Sequence, residues 1–165
     1  MVTEIEKRFE ERKLIKQETR TTLIISISLL ISVGIYTVLA YFIKFKPLLV
    51  QEELENIFGV INIIVIMLMV VVLAVRRTIY FSPRFIKEDF TLVQILRKWR
   101  TIDIALLAAA ETIPICGLVL TFLGMPFNRT FHFFLASALL MFILMPIGLK
   151  VRSKINIIKQ THPDI

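Results

Sequence analysis

Glu111 is the one acidic residue deep inside an apolar run of this sequence, and its chemistry makes it the first candidate for a functional group. The run extends from Ile104 to Leu123 and is long enough for a helix to cross a bilayer. A carboxylate at that depth costs roughly 2.5–3.5 kcal/mol to insert, so such residues usually face a partner or a cavity. Because no Lys or Arg stands inside any apolar run, we expect Glu111 to favour its neutral, protonated form.

Three roles are open for Glu111 at this point. It can tie helices together as a neutral structural group, it can bind or move protons or cations, or it can contact another membrane subunit. Ser28 and Ser32, in the first apolar run, lie at the same depth as Glu111 when the helical rise is counted from the same side. We therefore predict that the face carrying Ser28 and Ser32 supplies the hydrogen-bonding partner of Glu111.

Small residues and a proline surround Glu111. The small residues are Ala105, Ala109, Ala110 and Gly117. Small side chains let helices approach closely, so we predict that this helix packs centrally. Pro114 has no N–H and leaves the carbonyl of Ala110, beside Glu111, without its helical hydrogen bond. A freed carbonyl next to a carboxyl group suits a proton or cation site, and it equally suits a protonated glutamic acid.

The segment from Glu111 to Leu120, with the sequence ETIPICGLVL, resembles the ion-carrying helix of ATP synthase c subunits. In that family a carboxylate precedes an aliphatic stretch that contains Gly-Leu-Val. The resemblance implies that Glu111 carries a proton or a sodium ion. It covers this segment alone, since neither of the first two apolar runs offers the glycine-repeat helix of that family. The chain as a whole resembles small four-helix proteins of bacterial inner membranes.

The composition indicates lipid as the solvent. Of the 165 residues 56% are hydrophobic, and the mean hydropathy is +0.77; soluble domains average roughly 45–50% apolar residues. Four runs are long enough to span a bilayer, at residues 23–43, 57–75, 104–123 and 131–149. We predict an all-α membrane protein with one domain, residues 1–165, and four transmembrane helices in a bundle. The first run exceeds the apolar core of a signal peptide and is expected to be an uncleaved anchor.

The basic residues predict the orientation. Three lie in the loops after spans one and three, namely Lys44, Lys46 and Arg129. Seventeen lie before span one, between spans two and three, and after span four. Because basic residues stay on the cytoplasmic side, both termini and the middle loop are predicted to be cytoplasmic, most simply in a bacterial inner membrane. The same positions favour anionic lipid headgroups, not nucleic acid, as the partner of the net charge of +7.

The polar segments carry secondary predictions. Residues 1–21 mix acidic and basic side chains and predict a cytoplasmic helix, which either extends span one or docks a partner protein. Residues 77–103 are predicted to be a cytoplasmic loop, and residues 150–165 a cytoplasmic tail. Within the loop, apolar residues recur at helical spacing from Phe90 to Ile102. This pattern indicates an interfacial amphipathic helix or the projecting start of the third helix, anchored at headgroup depth by Trp99, Arg97, Lys98 and Arg100.

The sequence offers little for catalysis. It contains no glycine-rich phosphate loop, no nucleophile elbow and no CxxC pair, and Cys116 lies far from either histidine. We predict no enzyme activity, no cofactor and no metal site. Two functions are open: a structural, accessory or assembly subunit of a membrane complex, and a small proton- or cation-linked channel or carrier that uses Glu111. The predicted partners are the lipid bilayer and either further copies of this chain, in a homo-oligomer, or other membrane subunits.

The charge distribution gives a testable topology. A reporter that is active only in the cytoplasm should work when fused at either terminus or at position 87, because the basic residues cluster near these three positions. The same reporter should fail at Glu53, in a segment on the opposite side of the membrane. Activity can be measured for each fusion in whole cells. An active fusion at Glu53 would overturn the orientation.

Overall fold

The computed structural model describes residues 2–43, 50–81 and 92–145, and the regular structure in these ranges is helical. The helices are α1 (Val2–Phe42), α2 (Gln51–Phe81), α3 (Leu92–Phe122) and α4 (Phe127–Leu144). Each helix contains a stretch that is long and apolar enough to cross a membrane. Lipid offers no hydrogen bonds to the backbone, so helices that satisfy their own N–H and C=O groups are the expected form. The prediction of four membrane-spanning helices is confirmed at this level.

Helix α3 makes the contacts that join the other helices. It packs against α1, α2 and α4, and α1 also packs against α4. The apolar stretches of α3 and α4 are 44% and 39% buried within the protein, against 17% for α1 and 11% for α2. The α3–α4 pair is therefore the centre of the packing, and most of the apolar stretches of α1 and α2 lies on the outside of the protein.

A tight turn at residues 123–126 joins α3 to α4. Gly124 has a φ of 105°, in the region that favours glycine. The N–H of Met125 donates to the carbonyl of Leu120 at 3.0 Å, and the N–H of Gly124 donates to the carbonyl of Thr121 at 3.1 Å. These two bonds are the Schellman arrangement that ends a helix. Pro126 then precedes α4, so the chain reverses within four residues.

Polar contacts hold the two ends of α2, which buries little apolar surface. At one end the Arg129 guanidinium of α4 donates to and pairs with the Glu55 carboxylate of α2. At the other end Arg76 Nη1 donates to the carbonyl of Ile143 at 2.6 Å. That carbonyl belongs to the last turn of α4, where carbonyls lack helical partners and a cation is favourable. Helix α2 is thus fastened to α4 at both ends.

The amphipathic pattern allowed either a separate interfacial helix or the projecting start of the third helix, and the structure shows the second of these from residue 92 onward. Residues 92–103 continue directly into the membrane-spanning part of α3, so they are its projecting start. Trp99 is 7% exposed, so most of its side chain is covered by protein. Arg97 and Lys98 are exposed and Arg100 is half-buried. The anchoring role of Trp99 at headgroup depth stays a prediction, because helix periodicity finds an apolar face without showing whether lipid or protein covers it.

Some sequence predictions fall outside the described residues. These are the first outer loop at residues 44–49, the segment 82–91 and the tail 150–165. The predicted N-terminal helix is present, since α1 runs without a break from Val2 into the first span. Its continuity is the form expected of an extension of span one.

Two glycines provide a matched test of the α3–α4 packing. A Cβ added at Gly117 would lie 2.9 Å from Phe133 Cβ and 3.3 Å from Phe134 Cζ, whereas a Cβ at Gly34 on α1 meets nothing within 4 Å. Gly117→Ala should therefore destabilise the protein by about 1–3 kcal/mol through overpacking. Gly34→Ala should leave stability unchanged or raise it by up to about 1 kcal/mol, because glycine is the poorer helix former. Melting temperatures in detergent measure both, and equal effects would contradict this packing.

Candidate functional site

Glu111 lies at the contact between α3 and α1. Its Oε1 is 2.8 Å from the hydroxyl of Ser32 on α1, which is half-buried like Glu111 itself. The two residues are 79 positions apart in the chain, and the match arises because α1 and α3 pack side by side. Ser32 is one of the two partners expected from depth counting.

The Ser32 hydroxyl has a second close neighbour. Its Oγ lies 2.7 Å from the carbonyl oxygen of Leu29, one turn earlier in α1. A hydroxyl has one hydrogen and can donate to only one acceptor at a time. A carbonyl and an ionised carboxylate are both acceptors, so an ionised Glu111 would leave one of the two contacts without a hydrogen. A protonated Glu111 can instead donate to Ser32 while Ser32 donates to Leu29.

Ser28 is not brought to Glu111. Its side chain is exposed, and its hydroxyl donates to the carbonyl of Ile24 at 3.0 Å, within α1. Ser28 and Ser32 are four residues apart and share a face, but only Ser32 lies at the α1–α3 contact. Depth counting from sequence could match either serine to Glu111, because it does not fix the lateral position of the two helices. Of the Ser28/Ser32 face, the structure therefore brings Ser32 alone to Glu111.

The carbonyl freed by Pro114 has a partner on α4. Ser137 Oγ, fully buried, donates to the carbonyl oxygen of Ala110 at 3.0 Å. Pro114 predicts that this carbonyl is free, but Ser137 was not predicted as its partner. The available signal was the small polar residue in the fourth apolar run, since a serine inside a span commonly bonds across helices. Pro114 thus fixes a cross-link between α3 and α4 next to Glu111.

The small residues around Glu111 divide between faces of α3. Ala110 and Gly117 are buried, with Gly117 against Phe133 and Phe134 of α4. Ala109 is half-buried and packs on the core. Ala105 is exposed, so its predicted part in helix packing within the chain is not seen. The small residues Ala110 and Gly117 therefore let α3 approach α4 closely.

A second buried polar contact lies near the turn between α3 and α4. The hydroxyls of Thr121 and Thr130 are 3.0 Å apart, and Thr121 also lies 2.9 Å from the carbonyl of Gly117. Both residues are almost wholly buried. This pair joins α3 and α4 next to the turn between them and was not predicted from sequence.

No metal centre is present among the residues that the structure describes. These residues contain no group of three His, Cys, Asp or Glu side chains that could hold an ion. His132 is exposed and packs edge-on against the ring of Phe58, with centroids 5.8 Å apart. Cys116 is a free thiol.

Comparison of the chain with protein-family models, with curated proteins and with solved structures found no match. The resemblance of residues 111–120 to the ion-carrying helix of ATP synthase c subunits accordingly stays a prediction.

The bond from Ser137 to the freed carbonyl can be tested by restoring the missing donor. Ser137→Ala should cost about 1–3 kcal/mol, because it leaves the buried Ala110 carbonyl unsatisfied. Pro114→Ala supplies a backbone N–H to that carbonyl. In the double variant the loss caused by Ser137→Ala should therefore be smaller than in the single variant. Additive losses of melting stability would show that Ser137 and Pro114 do not act on the same carbonyl.

Proposed function

We propose that this protein is a structural or accessory subunit of a membrane complex and that Glu111 is a neutral tie between α1 and α3. The observation that carries the proposal is that both polar irregularities of α3 have partners inside the chain. Glu111 meets Ser32, and the carbonyl freed by Pro114 meets Ser137. Groups that serve an ion path would instead be directed at the ion, so their use in packing favours the structural role.

The contacts of Ser32 support a neutral Glu111. A chain in which Glu111 donates to Ser32 and Ser32 donates to Leu29 satisfies both short distances with the two hydrogens available. Such bonds between membrane helices are worth about 0.6 kcal/mol on average. Glu111 is thus a modest stabilising contact whose main effect is to fix the register of α1 against α3.

The alternative function is a proton- or cation-linked channel or carrier that uses Glu111. It is favoured by the incomplete burial of Glu111 and by its second oxygen, which has no hydrogen-bond partner among the described residues. Against it, the hydroxyl groups of the described spans near this depth are bonded to backbone carbonyls of their own helices or of α3. A conduction path needs further groups that bind and release the ion.

The proposal includes a membrane arrangement. The four helices form a bundle in a bacterial inner membrane, with both termini and the projecting start of α3 in the cytoplasm. The clustering of basic residues supports this orientation. Exposed Arg97 and Lys98 suit contact with anionic lipid headgroups at that surface.

Variants of Glu111 separate the two functions. Glu111→Gln keeps a donor for Ser32 and an acceptor in nearly the same volume, so stability and cellular role should survive if Glu111 is a tie. Glu111→Ala and Ser32→Ala should each lower stability by about 1 kcal/mol, and the double variant should lose less than the sum. Melting temperature in detergent and proton or cation flux in liposomes are the measurements.

A neighbouring residue provides the control. Thr112→Val removes an exposed hydroxyl at the same depth that bonds only the Ala109 carbonyl of its own helix, so melting should not change. An ion-handling Glu111 would give another pattern, because glutamine cannot change its protonation state. Flux that is lost in Glu111→Gln at a normal melting temperature would sink the structural proposal.

A further inference from the structure

Asn62 is the one side chain with strong hydrogen-bonding groups in the apolar middle of α2. The rest of residues 59–75 are aliphatic residues, methionines and a glycine. The Asn62 side chain is half-buried, and no residue in the described part of the chain hydrogen-bonds to it. Hydrocarbon offers neither donor nor acceptor, so an amide without a partner at this position is unfavourable. The partner of Asn62 therefore comes from outside the described helices.

Contacts near the starts of α2 and α4 show where Asn62 lies. The ring of Phe58 on α2 packs edge-on against the ring of His132 on α4. The ion pair between the two helices lies three residues earlier on both of them. The helices thus run in the same direction at matching heights. One further helical turn on each brings Asn62 opposite Ala136.

Polar side chains line this edge between α2 and α4 from the start of the helices to Asn62. Glu55 and Arg129 pair there with 41% and 51% of their side chains exposed. His132 follows on α4 and is exposed, and its ring nitrogens, like the Asn62 amide, have no hydrogen-bonding partner in the described part of the chain. Ala136 stands opposite Asn62, and its small side chain leaves room beside the amide.

The lipid-facing side of α2 is different in character. Four aliphatic or thioether side chains near the height of Asn62 are more than half exposed, namely Val60, Ile63, Ile64 and Met67. Lipid tails suit those positions, whereas a tail on the α4 edge would meet an ion pair, an imidazole and an amide in turn. Polar side chains within a span ordinarily face the protein interior or a water-filled cavity.

We propose that water fills a notch between α2 and α4, from the Glu55–Arg129 ion pair past His132 to Asn62, and hydrogen-bonds the Asn62 amide. Asn62 follows Glu55 by seven residues, so the notch reaches about 10 Å below the ion pair. Glu111 lies at the contact of α3 with α1. The notch is therefore separate from the proposed tie, and the inference goes beyond the proposed function.

Thiol labelling in liposomes tests the notch. In a Cys116→Ser background, which removes the native free thiol, Ala136→Cys places a thiol opposite Asn62. A charged, water-soluble thiosulfonate is added on both sides of the membrane. The matched control is Leu135→Cys, one residue away on α4 and 49% exposed toward lipid. Because only the thiolate reacts and it forms in water, labelling at position 136 should be at least about tenfold faster than at position 135.

Substitution of Asn62 tests whether its amide draws the water. Asn62→Leu removes the group that water would bind, so labelling of Ala136→Cys should fall to the rate of Leu135→Cys. Asn62→Gln keeps an amide and should keep most of the labelling. Circular dichroism of each variant checks that the helices are intact.

The remaining outcomes each decide against the notch. Equal rates at positions 135 and 136 would show that no polar channel distinguishes the edge from the lipid face. Labelling at position 136 that survives Asn62→Leu would remove Asn62 from the proposal. A thiol at position 136 that does not react would mean a dry contact, covered by lipid or by another membrane helix. The melting temperature of Ser32→Ala tests the tie at Glu111 separately, so either idea can fail alone.

Discussion

The structure depends on the rule that polar groups inside a bilayer must find partners in the protein. Helix α3 breaks the rule twice, because Pro114 frees a backbone carbonyl and Glu111 introduces a carboxyl group. Both groups are next to each other on the helix but point to different neighbours. The carbonyl of Ala110 meets α4 through Ser137, and Glu111 meets α1 through Ser32. These two bonds place α3 between α1 and α4.

Helix α2 is held in a different way. It buries the smallest part of its apolar surface, so packing alone gives it little attachment. Polar contacts at its two ends attach α2 instead. Glu55 pairs with Arg129 at one end, and Arg76 binds the last turn of α4 at the other. Charged groups can serve here because the ends of a span reach the interface, where the cost of burying a charge falls away.

The uncovered face of α3 follows from the same arrangement. Three helices packed on a central helix leave the side opposite α4 open, and that side carries small residues where Glu111 borders it. Within one chain, one of the two carboxyl oxygens of Glu111 therefore has a hydrogen-bonding partner, which is Ser32.

The sequence by itself determined the number of spans, because twenty apolar residues in lipid have few alternatives to a helix. It also located Glu111 and the carbonyl freed by Pro114, since both are local properties of the chain. It could not choose between Ser28 and Ser32, and it missed Ser137, because those choices depend on how neighbouring helices are shifted and rotated. The burial of Trp99 was likewise decided by tertiary packing: lipid and protein are both apolar surroundings, so hydrophobic periodicity does not distinguish them. Only the packed structure, in which each polar group must meet a particular donor or acceptor, fixes these contacts.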